Sequence, residues 1–169
     1  MARQFLPLVL LSVLLVPAWA EAGQAPPAQQ SPTIQSERVR QGVSHFERAF
    51  YELTPQKRDR EAAQEFDQAI AQFELELSRQ PSSAMAHNYL GRIYSLRKDY
   101  RKSAEHYDRL SEIEAQNVDA CVLAALGYAE LGEVVEARLR LVEARQRTSD
   151  PVALTRIAEY MAKLDKLNR

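Results

Sequence analysis

Apolar and small residues recur through the middle of the chain at the spacing that places them on one face of a helix. Only five glycines are present, which argues against the tight turns of β-hairpins and against glycine-rich phosphate loops. The spacing i, i+3, i+4, i+7 occurs in three successive sets: His87, Leu90, Gly91 and Tyr94; Tyr100, Ser103, Ala104 and Tyr107; and Cys121, Ala124, Ala125 and Tyr128. This pattern predicts a series of amphipathic helices.

Similar residue types also recur at a period of 34 residues. Four sets show it: Phe66, Tyr100 and Val134; Ala69, Ser103 and Ala137; Phe73, Tyr107 and Leu141; and Tyr94 with Tyr128. Such self-similarity indicates an array of repeated helical hairpins. The segment Tyr89-Leu90-Gly91-Arg92-Ile93-Tyr94, followed by Asp99-Tyr100 and Tyr107, resembles the tetratricopeptide repeat (TPR), and the resemblance covers roughly residues 40–150.

The resemblance implies an all-α fold, a right-handed superhelical array of about three TPR-like helical hairpins with a C-terminal capping helix. The expected domain covers residues 36–169, with hairpins at about 36–83, 84–117 and 118–150 and a capping helix at 151–167. The predicted apolar face of that helix consists of Leu154, Ile157, Ala158, Met161 and Leu164. A cap is needed because the last repeat otherwise leaves apolar surface in water.

The first hairpin departs from the period. Val43, Phe46 and Phe50 precede their counterparts in the second hairpin by 44 residues rather than 34, which predicts about ten extra residues near 54–60. Thr54-Pro55 fits an N-cap and first helical residue, so we expect the second helix to start early and project by about 15 Å. Glu47 and Glu76 replace small residues of the family pattern, which indicates a capping end.

The N-terminal residues 1–20 have the three-part build of a secretory signal peptide: Arg3, an apolar run from Phe5 to Val16, and Ala18-Trp19-Ala20. An uncleaved membrane anchor is the alternative, although a spanning helix needs about 20 apolar residues. Residues 21–35, rich in Pro, Gln and Ala, predict a disordered spacer. We therefore expect an exported protein, periplasmic or secreted, that is free of the membrane after cleavage.

Charge and reactive residues argue against several function classes. The formal net charge is −1 with interspersed signs, which lacks the basic surface of nucleic-acid-binding proteins. His45 and His106 lie on different predicted helices without a partner at i+4, and His87 and Cys121 fall at positions expected to pack between helices. Because no catalytic or metal-binding motif appears, the sequence predicts no enzyme activity, no cofactor and no metal.

The TPR resemblance also implies a binding surface, because the first helix of each hairpin in that family lines a concave groove that receives a peptide or a partner's helix. The corresponding positions here are Gln41, Ser44, Arg48, Tyr51, Met85, Asn88, Arg92, Leu96, Asp119, Val122, Leu126 and Glu130. Some relatives hold a C-terminal carboxylate with Lys, Asn and Arg side chains, of which only Asn88 and Arg92 have a match. The groove is apolar at Val122 and Leu126, unless these two residues pack on the last helix instead.

These observations predict a non-catalytic scaffold of the cell envelope or the secreted space that binds a protein or peptide partner in the groove. The alternative is a structural subunit of a secretion or cell-envelope assembly. In that case the outer faces of the second helices dock, and the groove is idle.

Overall fold

The computed structural model describes residues 36–167, and all regular secondary structure in that range is helical. The predicted signal peptide (1–20) and spacer (21–35) lie outside the described residues. None of the helices in the described range is long and apolar enough to cross a membrane. In chain order they are α1 (Glu37–Glu47), continued by a π-helical turn (Arg48–Leu53), α2 (Asp59–Arg79), α3 (Ala84–Leu96), α4 (Tyr100–Ile113), α5 (Val118–Glu130), α6 (Val134–Gln146) and α7 (Pro151–Leu167).

The helices pack in sequence order. Each contacts the helix that follows it, and α1 also contacts α3. The pairs α1–α2, α3–α4 and α5–α6 form three hairpins, and α7 packs on α6. This confirms the predicted all-α array with a final helix against its last hairpin.

The period of 34 reappears in the ends and turns of the helices. Ser83 and Asn117 cap α3 and α5 with their side chains, which accept hydrogen bonds from the backbone N–H groups of Ala86 and Ala120. The turn before α4 has Lys98 at φ 60°, and the turn before α6 has Gly132 at φ 75°. This left-handed conformation suits glycine and is strained for a residue with a Cβ atom.

Glycine allows close packing inside the first two hairpins. A Cβ atom at Gly91 would lie 2.9 Å from the ring of Tyr107, and one at Gly42 would lie 2.7 Å from the ring of Phe73. The hydroxyl of Ser103 donates to the carbonyl of Gly91 at 2.9 Å. The two helices of the second hairpin therefore approach closely at Gly91 and Ser103.

Tyrosine hydroxyls join neighbouring hairpins. Tyr94 donates to Glu74 at 3.3 Å, and Tyr128, one period later, donates to Asp108 at 2.8 Å. Asp108 also pairs with Arg140 of α6, with Nε 2.7 Å from Oδ1. Each carboxylate lies on the second helix of one hairpin and each tyrosine on the first helix of the next, so the repeat also specifies this contact.

The insertion in the first hairpin differs in detail from the prediction. Thr54 is not an N-cap: its backbone is helical, and its N–H donates to the carbonyl of Ala49 at 3.0 Å, the spacing of a π-helix. A turn over residues 54–57 follows, and α2 begins at Asp59. The helix thus starts seven residues before Phe66, an extension of about 10 Å, and it packs on the π-helical turn.

Two further predictions concern the ends of the array. Glu76 is buried and accepts a hydrogen bond of 2.6 Å from Ser36, the residue that caps α1, so this carboxylate closes the first hairpin.

The apolar face of α7 is rotated relative to the prediction. Ile157 and Leu164 are buried, and Leu154 and Met161 are half-buried, in line with the predicted face, but Ala153 is buried where Ala158 is exposed. On the exposed side of this helix, Asp165 pairs with Arg138 of α6.

Candidate binding groove

The groove positions of the first hairpin lie on the solvent side of α1 and the π-helical turn. Gln41, Ser44, Arg48 and Tyr51 are all exposed, with 62% of Tyr51 accessible. The ring of Tyr51 contacts Phe50 edge-on, with 5.0 Å between the ring centroids. A large aromatic side chain is therefore held in an exposed position at this end of the groove.

Arg48 is not a free cation. Its guanidinium lies 3.0 Å from Glu65 of α2, and His45 Nδ1 lies 2.6 Å from the other oxygen of the same carboxylate. A partner that approaches Arg48 has to share it with Glu65.

Arg92 of the second hairpin lies over aromatic rings. Its guanidinium carbon is 4.7 Å from the ring centroid of Phe46 and 5.5 Å from that of Tyr89, the geometry of a cation–π interaction. Tyr89 in turn stacks on Phe73 at 5.2 Å. This packing fixes Arg92 where α1 and α3 meet. Of the other groove positions on α3, Met85 and Asn88 are half-buried, and Leu96 is 49% exposed.

In the third hairpin, α7 lies against several of the predicted groove positions. Val122 is only 4% exposed and belongs to a core cluster that includes Ile157 and Leu164, so the alternative of packing on the last helix applies to Val122. Leu126 is half-buried, whereas Asp119 and Glu130 are exposed. A cavity of about 290 Å³ remains between α5 and α7, lined by Asp119, Val122, Leu123, Leu126, Arg156 and Tyr160.

Three of the twelve predicted groove residues, Asp119, Val122 and Leu126, thus share one cavity. Arg156 and Tyr160 were missed because the resemblance assigns the groove to the first helices of the hairpins only. Their spacing of four residues places them on one helical face, and Arg156 pairs with Asp119. The i, i+4 spacing of Arg156 and Tyr160 could therefore have placed both residues on one face of α7, whereas the 34-residue repeat gives no information about this helix.

A pair of histidines lies inside the second hairpin. His87 is buried, as predicted, and its Nδ1 atom is 3.0 Å from Nδ1 of His106, while its Nε2 atom donates to the carbonyl of Pro81 at 3.0 Å. Burial lowers the pKa of His106 to about 4, and the neighbouring His87 adds to the shift. Sequence reasoning missed this pair because it sought partners on the same helix.

The histidine pair does not belong to a larger metal-binding cluster among the described residues. Within residues 36–167, no group of three or more His, Cys, Asp or Glu side chains is placed to hold a metal ion. His106 stacks on Tyr94 with 5.6 Å between ring centroids, so its ring is part of the packing between helices.

Comparison with known proteins identifies the fold. No family model and no curated protein matches the sequence. The structure is similar to the N-terminal domain of stress-induced protein-1 (STI-1) from C. elegans, with a TM-score of 0.53 and 12% identity over 79% of this chain and 98% of that one. It is also similar to the C-terminal TPR-containing domain of a Plasmodium falciparum protein described as FK506-binding, with a TM-score of 0.51 and 19% identity over 77% and 91% of the two chains. These likenesses confirm the TPR-like fold that the sequence resemblance implied.

Proposed function

We propose that this TPR-like array is a non-catalytic protein–protein interaction module that binds a peptide or a helix of a partner in its concave groove. The observation that carries the proposal is the exposure of large side chains at groove positions on successive first helices. Tyr51 and Leu96 are 62% and 49% exposed. Such side chains are the usual anchors of a bound segment, because covering them removes apolar area from water.

The side chains around these anchors suggest the chemistry of the partner. Arg92 is held on Phe46 and Tyr89. Among residues 36–167 it forms no ion pair with a carboxylate, so it favours an acidic side chain or a free carboxylate on the bound segment. The cavity between α5 and α7 would take an apolar side chain next to Leu126. The proposed ligand is therefore a segment with an acidic group followed by apolar residues.

The proposed location is the cell envelope or the secreted space, and its support is the signal-like pattern of residues 1–20. The pattern favours cleavage after Ala20 or Ala22. N-terminal sequencing of exported protein should therefore find Glu21 or Gly23 first. A start at Met1 or Ala2 would instead support a membrane anchor.

Affinity purification from the native envelope, with groove and outer-face variants side by side, tests the function. The groove variant is Tyr51→Ala with Leu96→Ala, and the outer-face variant is Val135→Arg with Leu139→Glu. We expect the groove variant to lose a partner that the outer-face variant retains, with equal helical content by circular dichroism. A partner that binds both proteins equally would contradict the groove proposal.

The second candidate function is a structural subunit that docks through the outer helix faces. One observation favours it: Val135 and Leu139 of α6 are 67% and 60% exposed on the side of the helix away from the core. In that case the outer-face variant loses the partner and the groove variant keeps it.

A further inference from the structure

Helix α6 is apolar on two sides. Its inner side buries Ala137, Leu141 and Ala144 completely or almost so. Its outer side carries Val135 and Leu139, and the half-buried Val142 continues the same row at i, i+4 and i+7. We call Val135, Leu139 and Val142 the outer row.

The repeat itself shows that the fold does not require large apolar side chains at the sites of Val135 and Leu139. In the two earlier hairpins, the positions 34 and 68 residues before the outer row are charged or small: Asp67, Ala71, Glu74, Arg101, Glu105 and Asp108. Apolar side chains at an exposed site cost solubility and contribute little to the core. At the first two of these sites the third hairpin alone has large apolar residues that are exposed, Val135 and Leu139, which indicates a contact beyond the core. The third site differs, because Glu74 and Asp108 there bond to tyrosines of the next hairpin and Val142 is half-buried.

Charges flank the outer row in an ordered way. On the helix, Glu136 and Glu143 lie on one side of the row, and Arg138 and Arg145 lie on the other, as in the e and g positions of a coiled coil. Arg138 and Glu143 also form ion pairs within the chain: Arg138 with Asp165 of α7, and Glu143 with Arg140 and Arg147. A contact between Arg138 and Glu143 of two copies has to share or replace these pairs.

We propose that the outer row is a self-association surface, on which a second copy of this chain lays its own α6 in parallel orientation. In a parallel pair, the glutamate side of each helix meets the arginine side of the other, and Arg138 of one copy approaches Glu143 of the second. An antiparallel pair would instead bring arginine to arginine and glutamate to glutamate. The charge order therefore selects the orientation.

A second copy fits this surface because the row and its flanks are self-complementary, as a two-fold interface requires. The row spans two turns of helix, which suits a weak and reversible dimer rather than an obligate one. The proposal is independent of the proposed groove function, since α6 contributes none of the predicted groove positions.

Sedimentation velocity over a concentration series tests the proposal, with the full chain expressed so that natural processing can occur. We expect a monomer–dimer equilibrium for the wild type. Val135→Arg with Leu139→Glu introduces the residues that α4 has at these sites (Arg101 and Glu105), and it should weaken the dimer by about tenfold or more without changing the helical content measured by circular dichroism. Val152→Arg is the matched control, because Val152 is 76% exposed on α7 outside the row.

Crosslinking tests the orientation. Val135→Cys should form a disulfide-linked dimer under a copper–phenanthroline oxidant in a parallel pair, because the same residue of both copies then meets. The parent protein should not crosslink, since its one cysteine, Cys121, is buried. A wild type that stays monomeric up to several hundred micromolar, or a dimer that the outer-row variant does not weaken, would overturn self-association. A wild-type dimer without a Val135→Cys crosslink would overturn the parallel arrangement.

Discussion

The first and third hairpins use the same repeat to build two different interiors. The first is filled by the aromatic rings of Phe46, Phe66 and Phe73, against which Tyr89 of α3 packs from the second hairpin. The third is filled mainly by small residues on α5 and α6, such as Cys121, Ala125, Ala137 and Ala144, around Leu141. Their exteriors also differ, since the exposed sites that carry Val135 and Leu139 in the third hairpin carry Asp67 and Ala71 in the first. A repeat therefore fixes the helix positions but leaves both the core filling and the outer chemistry free.

This contrast predicts strong protection of Cys121 in the small-residue core. The thiol is fully buried, and burial raises its pKa, so both access and thiolate formation oppose reaction. If labelling requires global unfolding, a native domain should slow it by about 1,000-fold or more relative to the denatured chain. Stopped reactions with a thiol reagent, with and without denaturant, measure the ratio. Fast labelling of native protein, or a disulfide dimer of the wild type, would show that this core opens easily.

Substitutions at Gly91 and at Ala125, its counterpart one period later, compare how tightly the second and third hairpins are packed. Gly91→Val should destabilise the second hairpin by about 1–3 kcal/mol, because the new side chain meets the ring of Tyr107. Ala125, one period later, already has a Cβ atom in the small-residue core, and Ala125→Gly should cost only about 1 kcal/mol through helix propensity. Denaturant midpoints measure both. An unchanged midpoint for Gly91→Val would mean that Tyr107 moves aside without cost.

The histidine pair provides a pH-dependent difference between the hairpins, because the residues one period after His87 and His106 are Cys121 and Arg140. Burial lowers the pKa of both histidines, that of His106 to about 4. The unfolded chain therefore binds these protons first, and stability is full above pH 6.5 and falls as the pH drops toward 4. The free energy of unfolding should fall by about 1–3 kcal/mol over this range. This figure allows for the partly exposed edge of His106, which weakens the effect of burial.

Urea denaturation from pH 7.5 to 4 measures this loss, and His106→Phe is the control that removes the titrating group. The free energy of unfolding of the His106→Phe variant should depend less on pH than that of the wild type. An identical pH dependence in the two proteins would assign the loss to carboxylates elsewhere.

The smallest expected effect concerns the turns between paired helices. Lys98 has a φ of 60° where Gly132 stands one period later. Lys98→Gly should stabilise the protein by about 0.5–1 kcal/mol, because relief of the left-handed strain exceeds the entropy that glycine adds to the unfolded chain. Gly132→Lys should have the opposite sign and similar size. Thermal midpoints of the two variants decide, and the same sign for both would show that side-chain contacts outweigh backbone strain here.

Local pattern predicted most of the fold because each helix in a repeat array contacts its sequence neighbours. The helix faces that bury Leu90, Tyr107 and Leu141 follow from the 3.6-residue period alone. The first hairpin was harder, since a π-helical turn depends on which carbonyl Thr54 reaches, and composition does not specify that choice. The predicted groove residues remain a prediction, although the structure places Val122 in the core and Arg48 beside Glu65.

The sequence by itself determined the repeat, its helical faces, its departure in the first hairpin and the burial of Cys121, because these depend on spacing along one chain. Only the tertiary structure decided which side chains from distant segments meet. It paired His87 with His106 and Asp165 with Arg138, placed Arg92 on Phe46, and left Val135 and Leu139 exposed. These outcomes depend on how neighbouring helices are rotated and spaced, and that is set by packing across the whole array rather than by the period of any one helix.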